Sequence, residues 1–270
     1  MKIPNKGPSP ADDSASKETR VYRSFADDFT ESRRQDQKLP PDYKWIHTNI
    51  IYRSASVLLD LILSAFAWPF SRLWLHVRVE NSEILKKYGK DGCFIYGNHT
   101  QPMGDAFTPL TIVPSIRKYY IASPSNFGIP ILGPLLPCAG ALPIPDTVGG
   151  MKQFNRAVRR RVTEGRAVMV YPEAHVWPWY TGIRPFPDTS FAYPVDCGKP
   201  SFCLTTTYHE RGNSRKPGIT IYVDGPFYPD SALNKKQQRE KLRDEIRNRM
   251  IDRSAASTFE YVRYIKENCD

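Results

Sequence analysis

Two short stretches carry side chains able to move protons. The first runs Tyr96-Gly97-Asn98-His99-Thr100-Gln101-Pro102-Met103-Gly104-Asp105. An apolar strand ends at Tyr96, Gly97 turns the chain, and an imidazole and a carboxylate follow. A histidine at a strand end, oriented and charge-stabilised by a carboxylate, is a general base for a hydroxyl nucleophile. The separation of His99 from Asp105 does not place both on one face of a regular helix. Pro102 and Gly104 permit a non-helical turn that would bring them together. A plainer assignment stands beside this one: Asp105 N-caps a helix over 106–110 and His99 is a satisfied loop histidine.

The second stretch is Val170-Tyr171-Pro172-Glu173-Ala174-His175-Val176-Trp177-Pro178-Trp179. It again closes a buried strand with an acidic residue. If the two strands are parallel, Glu173 shares the carboxyl edge of the sheet with His99, where open α/β sheets bind ligands. Glu173 then either binds a polar group of a substrate or holds the site together by hydrogen bonds.

The elements that must position these residues read as α/β. Short apolar runs at 93–96, 118–122, 167–171, 202–207 and 219–223 predict strands. Helical patterns lie between and after them, at 151–164, closed by Gly165, and at 234–250 and 255–266. The chain therefore divides into a polar arm over 1–41, disordered or a short amphipathic stretch, an apolar helical segment over 42–80 and a catalytic domain over 81–270. The apolar segment is interrupted by Asp60, flanked by Arg53, Arg72 and Arg78, and crowded at its end by Trp68, Phe70 and Trp74. That composition suits a helix lying in, or dipping into, a headgroup zone; a helix buried against the domain is the alternative. Residues 127–145 are apolar but punctuated by proline and glycine, which predicts an irregular loop lining a cleft, meeting lipid or packing as core.

A net charge of +10 over 270 residues points to an anionic partner, without choosing among nucleic acid, lipid headgroups and phosphorylated ligands. No nucleic-acid motif organises the basic residues, so no nucleic-acid partner is expected. The five cysteines are scattered, with neither a disulfide framework nor a CxxC spacing, which predicts a reducing compartment.

The order Asn98-His99…Asp105, Gly140-Ala141-Leu142-Pro143-Ile144, a helix, and then a strand ending Tyr171-Pro172-Glu173 resembles the lysophospholipid and glycerol-phosphate acyltransferase family. The likeness spans about half the chain, roughly 91–229. It implies a mixed, mostly parallel sheet flanked by helices and preceded by a membrane-associated helical segment. It further implies that His99 deprotonates an acceptor hydroxyl, that Asp105 orients His99, and that the hydroxyl attacks a thioester of acyl-CoA or acyl carrier protein. The implied setting is the cytoplasmic face of a membrane, with membrane lipids as partners and neither metal nor cofactor required.

Four departures bear on the substrate. Five residues, not four, separate His99 from Asp105. Asp146 stands where the family has a phosphate-binding arginine. Glu173-Ala174-His175-Val176 lacks the family's Gly-Thr-Arg, and only Pro200 remains of a later Pro-rich strand. Arg184, just downstream, is the candidate replacement for the phosphate-binding arginine, with His175 and Asn98 as further substrate contacts. Three other readings remain: an acyltransferase for a non-phosphorylated acceptor in place of a lysophospholipid or glycerol-phosphate-type one, a metal-dependent hydrolase using His99, Asp105, Glu173 and His175 as ligands, and a non-catalytic lipid-binding module of the same fold.

Overall fold

The computed structural model describes residues 18–30, 38–88, 91–113, 118–212, 214 and 216–267. Seven strands build the main sheet: β2 (Val77–Glu80), β3 (Cys93–Gly97), β4 (Lys118–Ala122), β5 (Ala141–Pro143), β6 (Ala167–Val170), β7 (Ser201–His209) and β8 (Gly218–Phe227), in the order β2-β8-β7-β3-β6-β4-β5. All neighbouring pairs are parallel except β7 and β8, so the sheet is mixed and mostly parallel, as expected. Every residue of central β3 is buried, because a parallel strand covered on both faces needs no polar side.

Alternation along the strands sorts the core into two layers. Phe94, Tyr96, Val168 and Val170 join one, and Cys93, Ile95, Ala167 and Met169 join the other. The first layer is closed by α4 (Val148–Thr163) and α6 (Lys235–Ser254), with the short α5 (Ala192–Cys197) packed between them. Helix α4 buries Phe154, Ala157, Val158 and Val162, a single stripe at helical spacing, and is capped by Thr147, which accepts from Gly150 N. Helix α6 is so charged that only Leu242, Ile246 and Met250 are buried, and a reciprocal Asn234–Gln237 capping box starts it. The second layer is covered by α2 (Glu83–Tyr88) and by α3 (Gly104–Ile112), against which packs α1 (Ile50–Pro69).

Helix α1 is inverted relative to an ordinary surface helix. Its inward face holds Ser56 and Ala67, both fully buried, with Asp60 between them acting electrostatically on Lys118 of β4. The Ser56 hydroxyl donates to the Cys138 carbonyl. Its outward face presents Ile51, Leu58, Leu61, Ile62, Phe66 and Trp68 to the exterior. A single π-helical turn, Phe70–Trp74, extends it, and Ile50–Trp74 together is long and apolar enough to cross a membrane by length and composition.

Three sequence expectations are corrected. The segment 255–266 is not a helix: its end is β9 (Val262–Lys266), paired in parallel with β1 (Glu18–Tyr22) as a separate two-stranded sheet. Residues 18–30 are accordingly not part of a disordered arm, since β1 and the aromatic residues after it pack against the domain. Residues 1–17 and 31–37, the rest of that expected arm, lie outside the described residues apart from 38–41. Strand β2 falls within 42–80, so that segment contributes an edge of the main sheet as well as an apolar helix. The loop 127–145 is irregular as expected up to Gly140, broken by short 3-10 turns, after which β5 begins at Ala141.

Candidate functional site

His99 and Asp105 meet at the carboxyl end of β3. Their side chains lie 2.7 Å apart, Nδ1 to Oδ2, and are respectively 19 % and 9 % exposed. Helix α3 begins at Gly104 and the residue at its cap, Met103, makes no side-chain capping bond. Asp105 therefore sits inside the first helical turn and does not cap it; its carboxylate turns back to accept from His99 and from Gln101 N, 3.0 Å away. Asp105 N donates to Gln101 O, so a hydrogen-bonded turn over 101–105 leads into α3. Gln101 folds tightly over Gly104, where a Cβ would stand 2.3 Å from Gln101 Oε1.

The carboxylate at Nδ1 selects the imidazole tautomer that is protonated there, leaving Nε2 as the proton acceptor. Burial pushes the Asp105 carboxyl above its ordinary value, with the His99 hydrogen bond pulling in the opposite direction. Tyr171 supports the pair from below. Its ring stacks on the His99 ring at 4.3 Å between centroids, and its hydroxyl donates to Asp105 O at 2.7 Å. Gly97 makes room for that ring, since a Cβ there would come within 2.8 Å of Tyr171 Cε1. Sequence reasoning does not single out Tyr171 as a site residue; its place before Pro172-Glu173 is the signal that points to it. A narrow, mostly apolar crevice lies beside the pair, lined by Asp105, Thr108, Met169, Tyr171, Leu204 and Ile221 among others.

Glu173 adopts the second of the two roles open to it. Its Oε2 accepts from His99 N at 3.1 Å and from Arg184 Nη2 at 3.1 Å, and Oε1 accepts from Arg184 N at 2.9 Å. Both side chains are almost wholly buried. Burial raises the Glu173 carboxyl from its ordinary value, and the Arg184 charge works against that rise. The Arg184 guanidinium also donates to His175 O and to Phe25 O, and lies 4.9 Å over the Trp177 ring. Arg184 is thus committed to the interior, which corrects its expected role as the phosphate ligand. Its guanidinium lies against the Glu173 carboxyl with almost no exposure to solvent.

Asn98, expected as a substrate contact, lines the crevice and also anchors two strands to each other. It is buried, and its amide exchanges two hydrogen bonds with the Thr206 backbone of β7, at 2.8 and 3.0 Å. His175 turns to Asp28, Nδ1 to Oδ2 at 3.2 Å. With Glu173 held by Arg184 and His175 by Asp28, the four side chains of the metal-hydrolase reading do not converge. Among the described residues no cluster of His, Cys, Asp or Glu is arranged to hold a metal ion.

With this geometry in view, one solved structure is informative: the 1-acyl-sn-glycerophosphate (LPA) acyltransferase PlsC from Thermotoga maritima. It matches 78 % of this chain and 86 % of its own with a TM-score of 0.54 at 15 % identity. The fold is the PlsC fold. Neither a family sequence model nor a curated protein sequence matches the chain, so the likeness rests on three-dimensional structure. PlsC and this chain share a mixed, mostly parallel sheet flanked by helices, and here an apolar helix precedes it.

Proposed function

We propose that the chain is an O-acyltransferase of glycerolipid type working at a membrane surface. The observation that carries the reading is the 2.7 Å contact of His99 Nδ1 with Asp105 at the carboxyl edge of a PlsC-like sheet. In the proposed reaction His99 Nε2 takes the proton of an acceptor hydroxyl as its oxygen attacks the acyl thioester carbonyl. The new ester C–O bond forms, the C–S bond breaks, and the departing thiolate collects the proton from the imidazolium. Asp105 stabilises that imidazolium without itself taking the proton. No acyl-enzyme is formed. The donor is acyl-CoA or acyl carrier protein, and the acceptor a lysophospholipid or glycerol-phosphate-type hydroxyl.

Support for the membrane setting comes from the exposed apolar side chains of the outward face of α1 and of Ile131, Leu132 and Leu135. Because the inward stripe of α1 carries Ser56 and Asp60, we read this helix as lying on the membrane rather than spanning it, with the domain on the cytoplasmic side.

A second reading of the acceptor is favoured by one observation. Arg184 is spent on Glu173 and Asp146 occupies the family's arginine position, which suits an acceptor without a phosphate dianion. An acceptor panel settles both points: glycerol phosphate, lysophosphatidate, lysophospholipids and neutral lipids, each with a labelled acyl thioester in vesicles. The main reading expects ester formation with a phosphorylated acceptor. Transfer confined to neutral acceptors supports the second reading, and no transfer to any of them favours a lipid-binding module.

A further inference from the structure

The loop carrying His99 is held from outside the main sheet by the small sheet of β1 and β9. The peptide groups of His99 are pinned on both sides by the segment after β6. Its N–H donates to Glu173, and its carbonyl accepts from Trp177 N at 2.9 Å. Trp179 N then donates to Thr100 O at 2.8 Å. This segment is under backbone strain. Ala174 and Trp179 both have left-handed φ, at 66° and 64°, a conformation costly for residues bearing a Cβ and kept only where surroundings over-determine it.

What over-determines it lies in the small sheet of β1 and β9. The fully buried Trp177 indole is enclosed by Tyr22, Phe25 and Phe29 from one terminal segment and by Tyr264 from the other, with ring centroids 4.8–5.9 Å away. Its Nε1 donates to Asp27 O at 2.8 Å, and Tyr264 OH donates to Pro178 O at 2.9 Å. Nothing in this arrangement touches the crevice beside His99. Strand β1 is instead tied to β9 and, through Trp177, to the histidine's own peptide.

We infer that residues 18–30 and β9 form a clasp whose closure around Trp177 sets the position of His99, making Trp177, Phe25 and Phe29 positioning residues of the acyl-transfer reaction. The inference rests on the proposed role of His99. Opening the clasp leaves the sheet and the crevice intact but frees the 173–179 segment to relax its strained turns, and the imidazole drifts from its working geometry. A displacement on the order of 1 Å at a reacting group costs about 100-fold in rate.

The test is the double variant Phe25→Ala/Phe29→Ala in the full chain, beside Phe25→Tyr/Phe29→Tyr, which keeps the rings. Both phenylalanines are partly exposed, so the sheet should remain folded. Steady-state kinetics with an acceptor that the wild type uses should show kcat reduced roughly 10- to 100-fold, with KM for donor and acceptor nearly unchanged and the tyrosine pair restoring kcat. Amide hydrogen exchange should accelerate at His99 and Trp177 while Val168–Val170 stay protected. Unchanged kcat, or exchange that accelerates throughout β6 as well, would overturn the clasp. Exchange needs no substrate, so it tests the clasp even if the wild type transfers no acyl group and the functional reading fails.

Discussion

The carboxyl edge of β3 and the outer face of α1 obey opposite rules. At the edge, nearly every polar group is consumed internally: Asn98 by Thr206, Glu173 by His99 and Arg184, Asp105 by His99 and Gln101. On α1, large apolar side chains face outward, uncovered by any of the described residues, Ile51 being 75 % exposed and Leu61 62 %. The first region has its partners within the chain and is built for fixed geometry. The second has no such partners among the described residues, which suits an external apolar phase. Helix α3 joins them, carrying Asp105 in its first turn and packing against α1.

The comparison can be broken most forcefully at Arg184. Arg184→Ala leaves the Glu173 carboxylate buried without its counter-charge, and should destabilise the fold by about 3–5 kcal/mol in urea unfolding. An Arg184→Ala protein of normal stability that merely binds acceptor poorly would return Arg184 to the substrate side. On α1, Leu58→Lys/Leu61→Lys should cost about 3 kcal/mol of partitioning into neutral vesicles while leaving unfolding nearly unchanged. Equal partitioning of variant and wild type would mean that this face is covered by something other than lipid. Asn98→Ala should cost about 1–3 kcal/mol of stability, because it strands the Thr206 backbone groups in the interior.

The smallest effect expected is one of pH. The folded-state value of Asp105 is raised above its ordinary 3.8, so just above that pH the native state retains a proton that the unfolded chain has lost. Stability then falls as pH rises through the window between the unfolded and folded values, and levels off beyond it. Relative to Asp105→Asn, the wild type should therefore lose stability as pH is raised from about 4 toward neutrality. A relative gain over that range would mean that His99 and Gln101 outweigh burial at this carboxylate.

Much of the fold was readable because its strands are apolar on both faces. Strand β4 was located at 118–122 and found there, and 93–96 fell one residue short of β3. The terminal sheet was not readable. Strands β1 and β9 are short and polar outside, and each is defined by a partner some 240 residues away, which no local periodicity encodes. The alternating charges of 255–266 looked helical for the same reason. At the site, the residue types at 98, 99, 105, 173 and 184 were all singled out, and the structure brings His99 and Asp105 together. What composition could not reveal was the pairing: whether Arg184 faced a substrate or Glu173 depended on a fold that buries both.

The central claim, that His99 is the base for acyl transfer, is tested most directly by turnover of a labelled acyl thioester with a vesicle-borne acceptor, comparing wild type with His99→Ala. The account predicts robust ester formation by the wild type and a loss of roughly 10²- to 10⁴-fold in the variant, whose unfolding curve stays near that of the wild type. Near-normal turnover by a folded His99→Ala protein would contradict it.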